Sequence, residues 1–310
     1  MGTPDFAVPS LQALYDAGYN ITGVFTQPDR PAGRGNKITA SPIKVMAQSL
    51  MLPVFQPEKI KCSTDVELIK KLEPECIVVV AYGQILPQDI LKYPRYGCIN
   101  VHASLLPAYR GAAPIHWAVI NGEHKTGVTT MLMDEGLDTG DMLLSKEIEI
   151  GASATTGDVH DVLMRVGAEV LLKTLEGLVN RTLLPTPQPQ EFTYAPLLKR
   201  EHEKIDWFWK ADKIHNRIRG LSPWPGAFTT FRGQPVKIWK SELYPGNGLE
   251  GCALTELLPG QIVSRTLKGI RVTAGEGLLE IIELQPAGKK RMAATDFFNG
   301  RQVINGELFV

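Results

Sequence analysis

The feature that most constrains the fold is the run Ile77-Val78-Val79-Val80-Ala81, which is apolar at every position. A strand with one face in water alternates apolar and polar residues, whereas a strand covered on both faces is apolar throughout. Similar β-branched runs at 20–26 and 98–104 are separated by segments with helical patterning. Strands that alternate with helices indicate a parallel sheet with helices on both of its faces. We therefore predict a doubly wound, mostly parallel, Rossmann-like α/β sheet in the first part of the chain.

The C-terminal part of the sequence has a different pattern. A long amphipathic helix predicted over 156–180 closes the first domain, and residues 184–203 contain four prolines and few periodic apolar positions, which is typical of a linker. After a short helix near 211–220, short strands joined by glycine-containing turns predict a small β-barrel. A barrel of the oligonucleotide-binding (OB) type is one candidate, and a β-sandwich fragment has the same pattern. We predict a catalytic domain over 1–183, a linker over 184–203 and a C-terminal barrel over 204–310.

Composition and charge limit the class of protein. Hydrophobic residues make up 44% and charged residues 21% of the 310 positions, and no apolar run approaches the ~18 residues that a membrane span needs. The four cysteines form no C-x-x-C pair, which indicates reduced thiols and a cytoplasmic protein. Residues 204–310 carry 15 Lys and Arg against 10 Asp and Glu, although the whole chain has zero net charge. This asymmetry fits a polyanionic partner for the C-terminal part, and it also fits ordinary scatter of surface charge.

Three common kinds of site are poorly supported. The string Gly-Asn-Gly-Leu-Glu-Gly at 246–251 matches a dinucleotide pattern, but it lies in a β-rich region without a βαβ unit, so we interpret it as a loop. The six histidines are scattered without metal-ligand spacing, so we predict no metal. No serine lies in the G-x-S-x-G pattern that exposes a nucleophile.

The strongest candidate site is the polar end of the strand at 98–104. Side chains alternate along a strand, so Asn100, His102 and Ser104 share one face. Ligands of open α/β sheets bind at the carboxyl ends of the strands, and an amide beside an imidazole can hold a carbonyl oxygen and move a proton. The same residues also fit a purely structural hydrogen-bonding role, which is the more common use of polar residues at a strand end.

A carboxylate would complete this pair, because it orients an imidazole and favours its charged form. The segment 129–143 offers Asp134, Asp138 and Asp141. Asp138 lies between two nearby glycines, in a loop that can approach a ligand closely, and is therefore the best candidate by context.

Four stretches carry a resemblance to a known family. They are Gly-Thr-Pro-Asp-Phe-Ala-Val-Pro-Ser-Leu at 2–11, Thr-Gln-Pro-Asp-Arg-Pro-Ala-Gly-Arg-Gly at 26–35, the segment 99–115 around Asn100, and the segment 126–143 around Asp138. Together they resemble the bacterial-type methionyl-tRNA formyltransferases, and the similarity continues through Trp-Pro-Gly-Ala-Phe at 224–228 to the C-terminus. The Asn-x-His-x-Ser-Leu-Leu-Pro block and the Asp138 loop are shared with a wider group of folate-dependent enzymes.

The resemblance implies transfer of a formyl group from 10-formyltetrahydrofolate to the α-amino group of methionine on initiator tRNA. Asn100, His102 and Asp138 match the family's catalytic trio. The folate-binding turn of the family corresponds to Ser104, Leu105, Leu106 and Pro107. Asn100, with His102 as a second donor, would hold the developing oxyanion, while the aspartate, the imidazole or a water would be the first proton acceptor.

The resemblance also assigns partners. Arg30, Arg34 and Lys37 lie in the basic loop 26–42, which from its composition alone fits a disordered surface loop. In the family this loop folds against the acceptor end of the tRNA, and the basic barrel contacts the tRNA backbone. We expect initiator methionyl-tRNA and the folate donor as partners, a monomeric chain and no membrane.

One departure from the family concerns the N-terminus. Family members begin with a short hydrophobic strand before the Gly-Thr-Pro-Asp-Phe turn, whereas this sequence starts at Met1-Gly2. We therefore expect the sheet to lack its first parallel strand, which is a central one. Two other functions also fit the residues: another folate-dependent formyltransferase or hydrolase acting on a small amine, and a non-catalytic RNA-binding protein.

Overall fold

The computed structural model describes residues 1–32, 37–244 and 257–310. The chain divides into two compact units. The first unit comprises Met1–Pro114, Lys125–Ile148 and His160–Pro196, and the second comprises Ile115–His124, Glu149–Val159 and Leu197–Val310. The division passes through the predicted linker, since residues 184–196 lie in the first unit and 197–203 in the second. The domain limits drawn from the sequence stay a prediction.

Helices and strands are interspersed along the chain up to residue 196. A single turn of 3-10 helix, Asp5–Ala7, is followed by helices α1 (Val8–Asp16), α2 (Pro42–Ser49), α3 (Ser63–Lys71), α4 (Gln88–Leu91), α5 (Pro114–Ile120) and α6 (Thr156–Val179). The strands are β1 (Val24–Phe25), β2 (Arg30–Ala32), β3 (Lys37–Thr39), β4 (Val54–Phe55), β5 (Ile77–Val79), β6 (Cys98–His102), β7 (Arg110–Gly111), β8 (Lys125–Leu132), β9 (Met142–Glu149) and β10 (Tyr194–Ala195).

Parallel pairs form the centre of the first unit. β1 pairs with β4, and β5 pairs with β6 in a register that places Val79 beside Asn100. β8 runs antiparallel to β6, with Met131 beside Asn100, and β9 lies next to β8. Ile77 and Val79, which share one face of β5, are buried, and Val78 on the other face is partly buried. The predicted Rossmann-like α/β architecture is confirmed.

The long helix α6 begins at Thr156, as the amphipathic pattern predicts, and covers one face of this sheet. A Cβ on Gly167 would lie 3.1 Å from Val101 of β6, so this glycine lets the helix and the strand approach closely. Leu163 and Leu171 are fully buried. Even with this 24-residue helix, the described ranges contain no helix that is both long and apolar enough to cross a membrane.

Met1 and Gly2 lie between β1 and β5. The Gly2 N–H donates to the Phe25 oxygen at 3.0 Å, the Val80 N–H donates to the Met1 oxygen at 2.9 Å, and Gly2 forms a parallel bridge with Val80. These two residues therefore connect the strands at the place where we expected a strand to be missing. A cavity of about 320 Å³ adjoins them and is lined by residues of β1 and β5.

The second unit contains the remaining elements. They are helices α7 (Arg200–Glu203), α8 (Ala211–Gly220) and α9 (Ala294–Gly300), and strands β11 (Ala227–Phe231), β12 (Gln234–Tyr244), β13 (Ile262–Arg265), β14 (Ile270–Thr273), β15 (Leu278–Pro286) and β16 (Met292–Ala293).

Five of these strands form an antiparallel sheet in the order β11-β12-β15-β14-β13, and β16 pairs with β15. At the C-terminus, Phe309 bridges Phe231 of β11 while Leu308 bridges Gln261, next to β13, so both edges of the sheet are joined. The interior is apolar and includes fully buried Ile238 and Leu279. The small antiparallel barrel predicted from the sequence is confirmed.

Candidate active site

The candidate site lies at the carboxyl end of β6, where the parallel pairing with β5 stops. Asn100 and His102 are both on this strand, and the strand ends at His102. Val101, between them, packs towards α6, so the two polar side chains lie on the other face of the sheet. Ser104 is past the end of the strand, and its hydroxyl donates to the Ala108 oxygen at 2.6 Å. The structure therefore brings Asn100 and His102 together and gives Ser104 a separate place in the following loop.

Asp138 supplies the carboxylate of the site. Its Oδ1 accepts a hydrogen bond from Asn100 Nδ2 at 3.3 Å, and its Oδ2 accepts one from the backbone N–H of Gly111 at 2.8 Å. The same Oδ2 lies 3.6 Å from His102 Nδ1. The His102 side chain is 6% and the Asp138 side chain 14% exposed, so water screens this pair only weakly. Of the three acidic candidates in this segment, Asp138 is the one that meets Asn100 and His102.

Both nitrogens of the His102 ring face protein oxygens. Nε2 lies 2.9 Å from the Tyr109 carbonyl oxygen, and Nδ1 faces Asp138. A carbonyl oxygen can only accept, so Nε2 carries a proton in this arrangement. His102 Nδ1 is therefore the ring nitrogen that faces the Asp138 carboxylate.

The backbone of the Asp138 loop is tightly folded. Asp138 has a φ of +53°, a left-handed conformation that Asp adopts more readily than most residues. A Cβ on Gly140 would collide with the carbonyl oxygen of Leu132, so only glycine fits there. Asp134 accepts hydrogen bonds from Gly136 N–H and from the Thr139 hydroxyl, and thus stabilises the loop itself.

The predicted folate turn, residues 104–107, is held by Thr129 of β8. The Thr129 hydroxyl donates to the Ser104 oxygen at 2.8 Å and accepts from the Leu106 N–H at 3.1 Å. Ser104 and Leu106 are buried, whereas Leu105 and Pro107 are partly exposed. Only the last two side chains are thus accessible to a ligand.

The predicted tRNA-binding residues lie in a different part of the first unit. Strands β2 and β3 form an antiparallel hairpin, with exposed Arg30 beside Thr39. Lys37 is the first residue of β3, paired with Ala32, and its side chain is outside the description. Arg34 lies outside the described residues, as does the Gly-rich string 246–251.

Two groups of the site were missed by sequence reasoning. One is the segment Tyr109–Gly111, whose backbone contacts both His102 and Asp138. The other is Gln188, whose side-chain amide donates to the Asp138 and Gly140 carbonyl oxygens at 2.8 and 2.7 Å. Tyr-Arg-Gly follows the turn that we singled out and could have been included. Nothing in the sequence around Gln188 marks it.

No metal site is formed by the part of the chain that the structure describes, since it contains no group of three His, Cys, Asp or Glu side chains placed to hold an ion. The chemistry that the site can perform with its own residues is polarisation of a carbonyl oxygen by an amide and proton transfer through an imidazole-carboxylate pair.

Comparisons with known proteins identify the family. The profile of the Formyl transferase family matches residues 1–175, and that of the Formyl transferase C-terminal domain matches residues 197–302. Methionyl-tRNA formyltransferase from Pelotomaculum thermopropionicum is 54% identical over 307 residues, which cover 99% of this chain and 96% of that protein. Methionyl-tRNA formyltransferase from Alkaliphilus oremlandii is 50% identical over 309 residues, covering 99% and 97%.

A solved structure shares the fold. WlaRD, a sugar 3N-formyl transferase whose structure was determined in the presence of dTDP and 5-N-formyl-THF, superimposes with a TM-score of 0.65 at 18% identity, covering 93% of this chain and 97% of that one. At this identity the likeness concerns the fold alone. The extent of identity to the relatives above decides the narrower family, and the chain belongs to the methionyl-tRNA formyltransferases.

Proposed function

We propose that this chain transfers a formyl group from 10-formyltetrahydrofolate to the α-amino group of methionine esterified to initiator tRNA. Relatives that share about half of its residues over nearly the full length carry the name methionyl-tRNA formyltransferase. The observation that carries the proposal is the Asp138 carboxylate, which contacts Asn100 and the Gly111 N–H and faces His102. This arrangement suits acyl transfer to an amine.

In the proposed reaction the neutral methionyl amine attacks the formyl carbon, forming the new N–C bond. The formyl oxygen becomes an oxyanion, and the bond between the formyl carbon and the folate nitrogen then breaks. We assign the oxyanion contact to Asn100, because its amide has a second N–H beyond the one that faces Asp138. A preorganised donor of this kind lowers the barrier by about 3 kcal/mol.

The proton that leaves the amine must reach the folate nitrogen. We assign this transfer to His102 and Asp138, because the imidazole Nδ1 lies 3.6 Å from the Asp138 carboxylate at the end of β6. A free α-amino group has a pKa of about 8, so at neutral pH the amine needs only modest help to lose a proton. Orientation and oxyanion stabilisation therefore lower the barrier alongside the transfer of this proton to the folate nitrogen.

We place the folate donor on the turn formed by Ser104, Leu105, Leu106 and Pro107. Leu105 and Pro107 offer apolar surface to a flat heterocycle, while Ser104 and Leu106 act through the shape of the turn. The loop after β5 opens at the same edge of the sheet and carries Ile85, which is 88% exposed. We assign Ile85 to the apolar surface of the same site.

We assign the tRNA to Arg30, Arg34 and Lys37 of the loop 26–42 and to the basic C-terminal barrel. The support is the excess of 15 Lys and Arg over 10 Asp and Glu in residues 204–310 and the exposure of Arg30. Contacts of lysine and arginine with phosphates are largely independent of sequence and weaken as salt rises. We expect a monomeric, cytoplasmic enzyme.

The test is direct. The protein is incubated with 10-formyltetrahydrofolate and methionyl initiator tRNA, and formyl-methionine is measured on the tRNA by mass spectrometry. Turnover of the folate without formylation of the tRNA would remove the proposed substrate and favour a small amine. Binding of tRNA without any folate turnover would remove the enzymatic function.

A further inference from the structure

Four hydrogen bonds join Gln188 to two loops of the candidate site. Its amide nitrogen donates to the carbonyl oxygens of Asp138 and Gly140, at 2.8 and 2.7 Å. Its amide oxygen accepts from Arg110 Nε at 3.0 Å and from Arg110 Nη2 at 2.6 Å. Arg110 directly precedes Gly111, whose N–H donates to the Asp138 carboxylate. Gln188 thus connects the loop that carries Asp138 with Arg110, the residue next to the Gly111 N–H that binds the Asp138 carboxylate.

The chemistry of the four partners fixes the direction of the Gln188 amide. A guanidinium has only donors, so it must face the amide oxygen, and the two carbonyls have only acceptors, so they must face the NH₂ group. Arg110 is 6% exposed and its guanidinium lies 4.4 Å from the centre of the Phe192 ring, which restricts its orientation. A glutamine side chain at 188 satisfies all four partners, and a glutamate cannot.

Gln188 is partly buried, whereas its neighbours in the sequence are exposed. From Leu184 to Tyr194 every residue except Gln188 is exposed. The segment then continues into β10, which pairs with Arg110 and Gly111 of β7. One polar side chain in an otherwise exposed stretch is therefore directed into the protein, towards the loop that carries Asp138.

We propose that Gln188 is a positioning residue, which sets the place of the Asp138 carboxylate relative to His102 and Asn100 and so controls the rate of formyl transfer. This inference rests on the proposed function for its kinetic readout. Gln188 acts through the backbone of Asp138 and Gly140 and touches no substrate. A displacement of about 1 Å in a catalytic group can lower a rate about 10²-fold.

The decisive variant is Gln188→Glu. Its carboxylate still accepts both hydrogen bonds from Arg110, so that side of the contact is kept, but its second oxygen faces the Asp138 and Gly140 carbonyls without a proton. We expect kcat to fall about 10²-fold, with the KM values for folate and tRNA nearly unchanged, because the ligand contacts are intact. Gln188→Ala, which loses all four bonds, should show the same fall in kcat with a larger loss of thermal stability.

A matched control separates positioning from stability. Thr174 on α6 shares a buried hydroxyl hydrogen bond of 2.7 Å with Thr130 in the same unit, away from the Asp138 loop. Thr174→Val removes a buried bond at similar volume, so it should lower thermal stability and leave kcat at the wild-type value. A second readout, the amide resonance of Gly111 in a TROSY spectrum, reports the bond to Asp138 without any turnover.

Each outcome of these measurements either supports or overturns the inference. A selective fall in kcat for Gln188→Glu, together with a shifted Gly111 amide resonance, supports the inference. A wild-type kcat for this variant, or an equal fall in Thr174→Val, overturns it. If the wild-type chain does not formylate methionyl-tRNA, the proposed function fails, and the Gly111 resonance alone then decides whether Gln188 positions Asp138.

Discussion

Replacement of Asp138 by Asn tests the centre of the site with almost no change in shape. The two carboxylate oxygens accept from Asn100 Nδ2 and from Gly111 N–H, whereas an amide has one oxygen and one NH₂ group. One donor therefore loses its acceptor and faces another donor. The φ of +53° adds no cost, because Asn adopts the left-handed region as readily as Asp. Since a hydrogen bond to a charged group contributes about 1.5–3 kcal/mol, we expect the free energy of unfolding to fall by about 2 kcal/mol.

The kinetic effect of Asp138→Asn should be much larger than this loss of stability. Without the carboxylate, His102 loses the acidic partner that faces its Nδ1, and general acid–base catalysis of this kind contributes about 10²–10⁴-fold. We expect kcat to fall within that range, which corresponds to about 3–5 kcal/mol in the barrier, with KM little changed. The assay is steady-state formylation of methionyl-tRNA at saturating folate, with chemical denaturation measured in parallel.

The matched control is Asp141→Asn, which removes the same charge from the same segment three positions along the chain. If Asp138→Asn and Asp141→Asn have the same kcat, the carboxylate at 138 has no special place in the reaction and our reasoning from its contacts is refuted. A fall in kcat confined to Asp138→Asn, at temperatures where both variants are folded, supports it.

Three further predictions concern pH, thiol reactivity and the turn after β6. Burial lowers the pKa of His215 below its ordinary value of 6.5, so the unfolded chain binds that proton more readily and the stability of the second unit should fall as the pH drops below 6.5. Denaturation curves at pH 7.5 and 5.5 should show a smaller loss of stability for His215→Gln than for the wild type. Equal losses in the two proteins would contradict the assignment. Burial raises the pKa of the Cys98 thiol to about 12. Iodoacetamide at pH 8 should therefore modify exposed Cys62 and spare Cys98 in the folded protein. If peptide mapping finds the two cysteines modified to the same extent, β6 is accessible and the prediction is wrong. Thr129→Val removes the acceptor for the Leu106 N–H, so we expect a loss of about 2 kcal/mol in the free energy of unfolding. The KM for folate should rise while the KM for tRNA stays the same. An unchanged KM for folate would argue against folate binding on this turn.

Much of the fold follows from local patterns in the sequence. The apolar run at Ile77–Val79 predicts a buried parallel strand, and the periodic apolar positions after Thr156 predict the long helix. Strand alternation also places Asn100 and His102 on one face, because that rule depends only on the residues between them. Asp138 could be selected because glycines flank it, and Gly140 is indeed required by the close approach of the Leu132 backbone.

The limits of these patterns have physical causes. Alternation also put Ser104 with Asn100 and His102, but β6 ends at His102 and the rule applies only while the chain is extended. Where a strand ends depends on its neighbours. Here the Thr129 hydroxyl of β8 donates to the Ser104 oxygen and accepts from the Leu106 N–H, so the chain bends into a loop at this point.

Gln188 illustrates a different limit, since it lies 50 residues from Asp138 in the sequence. A stretch rich in proline and polar residues lacks the periodicity from which buried positions are inferred, so its composition indicates a linker. Hydrogen bonds hold it instead: the Met142 and Thr186 backbones pair with each other, and the Arg110 N–H donates to the Thr193 oxygen at 2.9 Å. Such a segment buries little apolar surface, so its contribution to the free energy of unfolding is small while its effect on the geometry of Asp138 is direct. Activity and stability should therefore respond differently to substitutions between residues 184 and 196, and measurements of stability alone would miss the function of this segment.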